Sequence, residues 1–184
     1  KSFRFTRLVV CSNALQKIFC KPLEPVLPFN WLQFKRDLLM SPTQQLKIPA
    51  SYIRGGTSKG VFFSLTDLPD AARAPGPYRD ALLLRVIGSP DPYGKQTDGM
   101  GGATSSTSKT VIVSKSAEPD HDVDYLFGQV SIDQAFVDWS GNCGNLSAAV
   151  GGFAITQGLV DSEKVPENGI AVIRIFQANI SKTI

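Results

Sequence analysis

The sequence predicts an α+β fold, in which strands and a small number of helices follow one another without a repeating order. Residues 47–53 and 61–64 have the composition of two strands joined by a glycine-containing turn, which indicates a β-hairpin. Residues 77–87 show the apolar spacing of an amphipathic helix. Residues 146–158 are mostly small or apolar and carry no charge, which is typical of a buried helix.

The first predicted hairpin and helix have residues that are typical of a turn and of helix ends. The hairpin turn at residues 54–60 contains adjacent glycines and two hydroxyl side chains, so its free N–H groups could hold an anion. A plain hairpin turn is the alternative interpretation. The following helix has Pro77 in its first turn and Gly88 directly after its last residue, which are the residues favoured at a helix start and stop.

A polar segment rich in glycine, serine and threonine occupies residues 89–108. A loop of this length is uncommon in a compact domain unless it is functional. It ends at Lys109, which precedes a predicted strand at residues 110–114 and is a candidate base or anion ligand. A solvated lysine at a strand end is the alternative. Further strands are predicted at residues 123–131 and 170–177.

A glycine-rich turn at residues 138–145 contains Cys143 and runs directly into the apolar helix, predicted at about residues 144–158. The N–H groups of a helix's first turn have no intrahelical acceptor and lie at the positive end of the helix dipole. The turn therefore offers both a reactive thiol and a place for a carboxylate. An inert buried cysteine beside a core helix is the alternative.

The composition excludes several classes of protein. With 42% hydrophobic and 19% charged residues, the chain is typical of a soluble globular protein, and no apolar run approaches the length of a membrane span. The net charge is +5 over residues 1–39 and −2 over residues 40–184, so the globular part has no basic surface for nucleic acid. Three cysteines and one histidine give no disulfide framework and no metal site, which favours the cytoplasm.

Residues 1–39 are rich in Lys and Arg and show no sustained apolar period, whereas Met40 resembles an ordinary start. A basic targeting segment and an extension outside the native fold both fit this composition. The extension is the preferred interpretation, and we expect it to be poorly ordered.

Three motifs in this order make the chain resemble the PrpF family of 2-methylaconitate cis-trans isomerases. They are RGGTSKG at 54–60, DGMGGATSSTSK at 98–109 and SGNCGN at 140–145, with GSPD at 88–91 in support. The resemblance implies the fold of diaminopimelate epimerase: two similar halves, each with β-structure around a central helix, and a cleft between them. Residues 40–184 would be the truncated N-terminal domain, with only that half present.

The resemblance also implies the residues of the site. Lys109 and Cys143 would be the catalytic pair that transfers the proton. No organic cofactor and no metal would be needed. The residues expected to bind the substrate carboxylates are Arg54, Gly56, Thr57, Ser58, Ser106, Thr107, Ser108, Asn142, Gly144 and Asn145.

The implied activity moves a proton next to an unsaturated tricarboxylate, converting 2-methyl-trans-aconitate to 2-methyl-cis-aconitate in the methylcitrate route of propionate breakdown. A 4-oxalomesaconate tautomerase and a methylitaconate isomerase are alternatives of the same class. A non-catalytic carboxylate-binding or accessory half-domain is the alternative of another class. Methylcitrate dehydratase is the expected functional partner, and a homo-oligomer is an expected assembly.

Overall fold

The computed structural model describes the backbone of residues 3–10 and all of residues 45–184. Its strands in the described residues are β1 Phe3–Val10, β2 Leu46–Gly55, β3 Ser58–Ser64, β4 Lys109–Lys115, β5 Val123–Val130, β6 Val137–Asp138, β7 Ile175–Gln177 and β8 Lys182–Thr183. Its helices are α1 Asp70–Arg73, α2 Pro77–Ile87 and α3 Gly144–Thr156, with 3-10 turns at Leu65–Asp67 and Ser162–Lys164. The predicted α+β class is confirmed, and α3 is the predicted apolar helix.

The described strands form one mixed sheet in the order β1-β2-β3-β4-β5-β7-β8. β3 and β4 run parallel, and α1 and α2 lie in the connection between them. β5 and β7 also run parallel, and α3 lies in the connection between those two strands. β6 pairs with the last two residues of β5, whereas β7 pairs with the first three. The other neighbouring strands are antiparallel.

The two longer helices pack against opposite faces of this sheet. Side chains alternate between the two faces along each strand, so both faces present apolar residues for a helix to cover. On one face, residues from α2 and from the strands form a buried cluster: Ile48, Val61, Phe63, Leu82, Leu83, Val86, Ile87 and Ile112. On the other face, the cluster around α3 contains Phe62, Val111, Val113, Tyr125, Phe127, Cys143, Leu146, Val150 and Phe153. The face that α3 covers therefore also contains the candidate cysteine.

The observed ends of α2 agree with those predicted from the sequence. Pro77 occupies the first turn, and Gly88 adopts the left-handed conformation (φ 86°) and donates its N–H to Leu84 O at 2.9 Å. The polar loop then returns to this end of the helix, where Met100 N donates to Val86 O at 2.8 Å. The loop thus satisfies a carbonyl that α2 leaves without an intrahelical partner.

Two predicted boundaries were wrong. The hairpin turn is shorter than residues 54–60, because Ser58–Ser64 already pairs with β2. The predicted strand at 170–177 is reduced to Ile175–Gln177, and Ile170 and Val172 are 89% and 72% exposed. A strand persists only where a neighbouring strand supplies backbone partners, and β7 pairs with β5 from Ile175 onward.

Hydrogen bonds join the turn before β5 to the segment before β7. Asp122 N donates to Arg174 O, and Asp122 Oδ2 accepts from Arg174 N, each at 2.8 Å. The other carboxylate oxygen accepts a hydrogen bond from Lys164 Nζ. This hydrogen bond from Lys164 holds the pKa of Asp122 below its ordinary value.

Asp122→Asn is expected to lower the stability of the protein by about 1 kcal/mol at pH 7. The folded-state pKa of Asp122 is lower than the ordinary aspartate pKa of about 4. The carboxylate therefore stabilises the folded protein fully when the pH is above that ordinary pKa. This stabilisation is lost as the pH falls through the lower folded-state pKa. Thermal unfolding of both proteins between pH 7 and 3 measures the difference. Asp161→Asn is the matched control, because Asp161 forms an exposed ion pair with Lys115. This variant should have nearly the same stability as the wild-type protein.

The backbone of Phe3–Val10 runs antiparallel to β2, with Phe3 opposite Tyr52 and Val10 opposite Leu46. Residues 1, 2 and 11–44 lie outside the described residues. That residues 1–39 belong outside the native fold stays a prediction. Within the part of the chain that the structure describes, no helix is both long enough and apolar enough to cross a membrane.

Candidate active site

Cys143 occupies the N-cap position of α3 and is 7% exposed. Its thiol donates to Ser58 Oγ over 3.7 Å, so the predicted turn at β3 and the predicted cysteine turn are in contact. Its carbonyl accepts a hydrogen bond from the hydroxyl of Tyr125 at 3.2 Å. Burial raises the pKa of Tyr125, which keeps that hydroxyl protonated as a donor.

The β2–β3 turn packs directly against the first turn of α3. Asn145 Nδ2 donates to Thr57 Oγ1 at 3.0 Å, and Gly56 has a left-handed conformation with φ 52°. A Cβ atom on Gly55 would lie 2.3 Å from Asn145 O and 2.9 Å from Leu146 Cα. Glycine at position 55 therefore permits the backbone of β2 to approach the helix N-terminus.

Gly55→Ala is expected to destabilise the protein by about 3 kcal/mol or more, because the neighbouring atoms belong to the backbone and cannot rotate away. Gly152→Ala is the matched control, since an added Cβ there meets no atom within 4 Å and lies inside α3. That control should raise stability by about 0.5–1 kcal/mol. Chemical denaturation measures both, and equal midpoints for the two variants would contradict the proposed contact.

Lys109 is the first residue of β4 and is 8% exposed. Its Nζ atom donates to Gln129 Oε1 at 2.6 Å and lies 4.8 Å from the centroid of the Phe127 ring. Lys109 alternates with Thr110 and so shares its face of the sheet with Val111, which packs in the α3 cluster. The lysine is therefore buried on the same face as Cys143 rather than solvated at a strand end.

The loop before Lys109 presents several hydroxyl groups that bond to one another. Thr104 Oγ1 lies 2.9 Å from Ser106 Oγ and 2.8 Å from Thr107 Oγ1. Ser108 is buried, and its Oγ lies within hydrogen-bond distance of two acceptors, Gln96 Oε1 at 2.9 Å and Thr104 O at 2.7 Å. Ser106 and Thr107 are half-buried, so they are the more accessible of the three candidates in this loop.

The backbone joins this loop to the cysteine side of the site. Lys59 N donates to Ser106 O at 2.9 Å, directly after Ser58, whose hydroxyl meets the Cys143 thiol. Asn142 and Gly144 flank Cys143 and are exposed, with Gly144 opening α3. The structure thus connects all three predicted motifs around one end of α3.

Arg54 is the candidate that the structure places apart from the others. Ile53 packs against the α3 cluster, and the next side chain in a strand points to the opposite face. Tyr52, two residues away, packs with the α2 cluster, and Arg54 shares its side of the sheet. The exposed guanidinium therefore lies on the other face from Cys143.

Sequence reasoning missed Gln129 and Phe127, which contact the Lys109 amine. Lys109 and Gln129 are opposite one another in the antiparallel β4–β5 pair. The hairpin pattern of residues 110–131 could have indicated this pairing, but not its register, because the connection at 116–122 is longer than a two-residue turn. Gln96 was also missed, although it is buried and holds Ser108.

The arrangement places an amine and a thiol on one face of a sheet, beside the N-terminus of a helix and a set of hydroxyl groups. A helix N-terminus and hydroxyl donors can hold a carboxylate. An amine and a thiol can each take or return a proton. Among residues 45–184, no group of three or more His, Cys, Asp and Glu side chains is arranged to hold a metal ion.

Comparisons with known proteins show which family the chain resembles. A family model described as PrpF protein matches residues 45–184. The chain is 78% identical over 145 residues to the 2-methyl-aconitate isomerase of Cupriavidus necator, with 79% of this chain and 37% of that protein covered. It is 74% identical over 140 residues to the protein of the same name from Shewanella oneidensis, with 76% and 35% covered.

The fold is also similar to a crystal structure of a methylitaconate-delta-isomerase. The TM-score is 0.65 and the sequence identity is 43%, over 75% of this chain and 33% of that one. The chain thus spans about a third of the length of these relatives.

Proposed function

This chain belongs to the PrpF family, and we propose that the protein is an isomerase that converts 2-methyl-trans-aconitate to 2-methyl-cis-aconitate. The observation that carries the proposal is the burial of Lys109 and Cys143 on one face of the sheet, with Cys143 at the N-cap of α3. Two relatives that share at least 74% of the matched residues have the name 2-methyl-aconitate isomerase.

The proposed reaction begins with removal of a proton from a carbon next to the double bond of the substrate. The electron pair of the broken C–H bond is then shared across the allylic system with a carboxylate. Catalysis depends on donors placed where this negative charge develops. Lys109 and Cys143 are the proposed pair: one side chain removes the proton, and the other returns a proton to the allylic system.

The substrate carboxylates are proposed to bind at the N-terminus of α3 and at the hydroxyl groups around it. The N–H groups of Gly144 and Asn145 belong to the first helical turn, which attracts anions. Thr57 and Ser58 extend this donor surface from the β2–β3 turn, and Ser106 extends it from the loop. The proposed proton transfers use side chains alone.

The test is a comparison of three substrates with the protein expressed from its complete gene. We expect the highest kcat/KM with 2-methyl-trans-aconitate, and lower values with 4-oxalomesaconate and methylitaconate. Proton NMR can follow all three conversions. A higher kcat/KM with methylitaconate would favour the second candidate, which the similarity to a methylitaconate-delta-isomerase supports. Tight binding of a tricarboxylate without turnover would favour a non-catalytic carboxylate-binding role.

Several finer proposals follow from the same reasoning. We propose that residues 40–184 form the N-terminal domain of a two-domain isomerase, which is consistent with the 37% coverage of the Cupriavidus necator relative. A role in propionate breakdown, with methylcitrate dehydratase as functional partner, is proposed from the substrate.

A cytoplasmic location is proposed from the small number of cysteines. A homo-oligomeric assembly is also proposed.

A further inference from the structure

The side chain of Gln129 joins the candidate amine to the hydroxyl loop. Its Oε1 atom accepts from Lys109 Nζ at 2.6 Å. Its Nε2 atom donates to Ser108 O at 2.9 Å and to Ser105 O at 3.1 Å. One amide therefore binds the amine and two carbonyls of the preceding loop at the same time.

We propose that Gln129 is a positioning residue, which holds the amine of Lys109 in place for proton transfer. This inference rests on the proposed function of Lys109. Phe127, on the same face of β5, lies under the amine, so the ammonium is confined by a ring and one oxygen acceptor. A lysine side chain has four rotatable bonds, and an acceptor at 2.6 Å restricts the positions that its Nζ atom samples.

The contacts at position 129 need a side chain that both accepts and donates hydrogen bonds, as an amide does. A glutamate would accept from Lys109 but would have no N–H for the two loop carbonyls. A lysine or arginine would donate to those carbonyls but would have no acceptor for the amine. Glutamine provides both functions, and the register that places Lys109 opposite position 129 brings them within reach.

Gln129→Leu tests the inference, with Gln177→Leu as the matched control. Gln129 is half-buried and Gln177 is buried, and Gln177 likewise uses both ends of its amide, with Nε2 donating to Asn179 Oδ1 at 2.7 Å and Oε1 accepting from Ile180 N at 3.0 Å. Both variants lose the hydrogen bonds at the two ends of the amide, so both should have a lower Tm. We expect kcat to fall about 100-fold in Gln129→Leu and to change less than about threefold in Gln177→Leu.

A double-mutant cycle with Lys109→Ala separates positioning from general support of the fold. If Gln129 acts through the amine, Gln129→Leu should cause no more than about a twofold further loss of kcat in the Lys109→Ala background. Losses that multiply in the double variant would overturn the inference, because they would show that Gln129 acts independently of Lys109.

A measurement without substrate keeps this inference separate from the proposed function. Limited acetylation with an N-hydroxysuccinimide ester, followed by peptide mass spectrometry, gives the labelling rate of the Lys109 amine. We expect this rate to rise at least threefold in Gln129→Leu and to stay unchanged in Gln177→Leu. An unchanged rate in Gln129→Leu would overturn the inference. Failure of all three substrates to react would instead count against the proposed function.

Discussion

Lys109→Ala is expected to lower kcat/KM for 2-methyl-trans-aconitate by about 1,000-fold, within the range lost when a general acid or base is removed. The amine is held at 2.6 Å from Gln129 Oε1 on the face of the sheet that contains Cys143. A methyl group in its place can neither take nor return a proton. Steady-state kinetics on the purified variant measure the loss, and circular dichroism checks its fold.

Lys115→Ala is the matched control for that result. Lys115 is the last residue of the same strand, but its amine is exposed and pairs with Asp161 at 3.0 Å. We expect kcat/KM to remain within about twofold of the wild-type value, since exposed ion pairs contribute little to stability. Turnover by Lys109→Ala close to that of Lys115→Ala would remove Lys109 from the proposed pair.

Cys143→Ser is expected to lower kcat/KM by about 100-fold or more, because a hydroxyl exchanges protons with carbon far less readily than a thiol. The substitution changes one atom at a position that is 7% exposed. Serine is also a favoured N-cap residue, so the start of α3 should be retained. Kinetics and Tm are measured together, and we expect a lower rate without a lower Tm. A variant that keeps near-wild-type turnover would show that the thiol is dispensable.

Solvent exchange can assign the two roles. In deuterium oxide, a variant that keeps the proton-abstracting group should still exchange the reactive proton of the substrate, even when isomerisation is slow. Exchange by Cys143→Ser but not by Lys109→Ala would assign abstraction to Lys109. The opposite pattern would assign abstraction to Cys143. Proton NMR of recovered substrate measures the exchange.

The features that were predicted correctly have local causes. The limits of α2 follow from Pro77 and Gly88, which act through the dihedral angles of single residues. The place of Cys143 directly before α3 follows from a polar glycine-rich turn that gives way to an uncharged apolar run. The long segment at 89–108 forms no helix or strand, as its glycine, proline and hydroxyl content indicated.

Features that depend on distant residues were missed or wrong. The strand was predicted at residues 170–177, whereas pairing with β5 limits it to Ile175–Gln177. Arg54 belongs to the RGGTSKG motif, and strand alternation places it on the face opposite Cys143, while its role in substrate binding stays a prediction. The importance of Gly55 appears only when β2 meets the first turn of α3.

The α+β class, the family motifs and the two ends of α2 could be predicted from the amino-acid sequence, because each depends on a short run of residues. Lys109 and Cys143 were proposed from two of those motifs, and their catalytic role stays a prediction. That Lys109 and Cys143 share one face of the sheet, and that Gln129 accepts a hydrogen bond from the amine, became visible only in the folded chain. The physical reason is register: a shift of one residue between β4 and β5 would direct Gln129 to the opposite face. Register is set by packing across the whole sheet, which no local pattern contains.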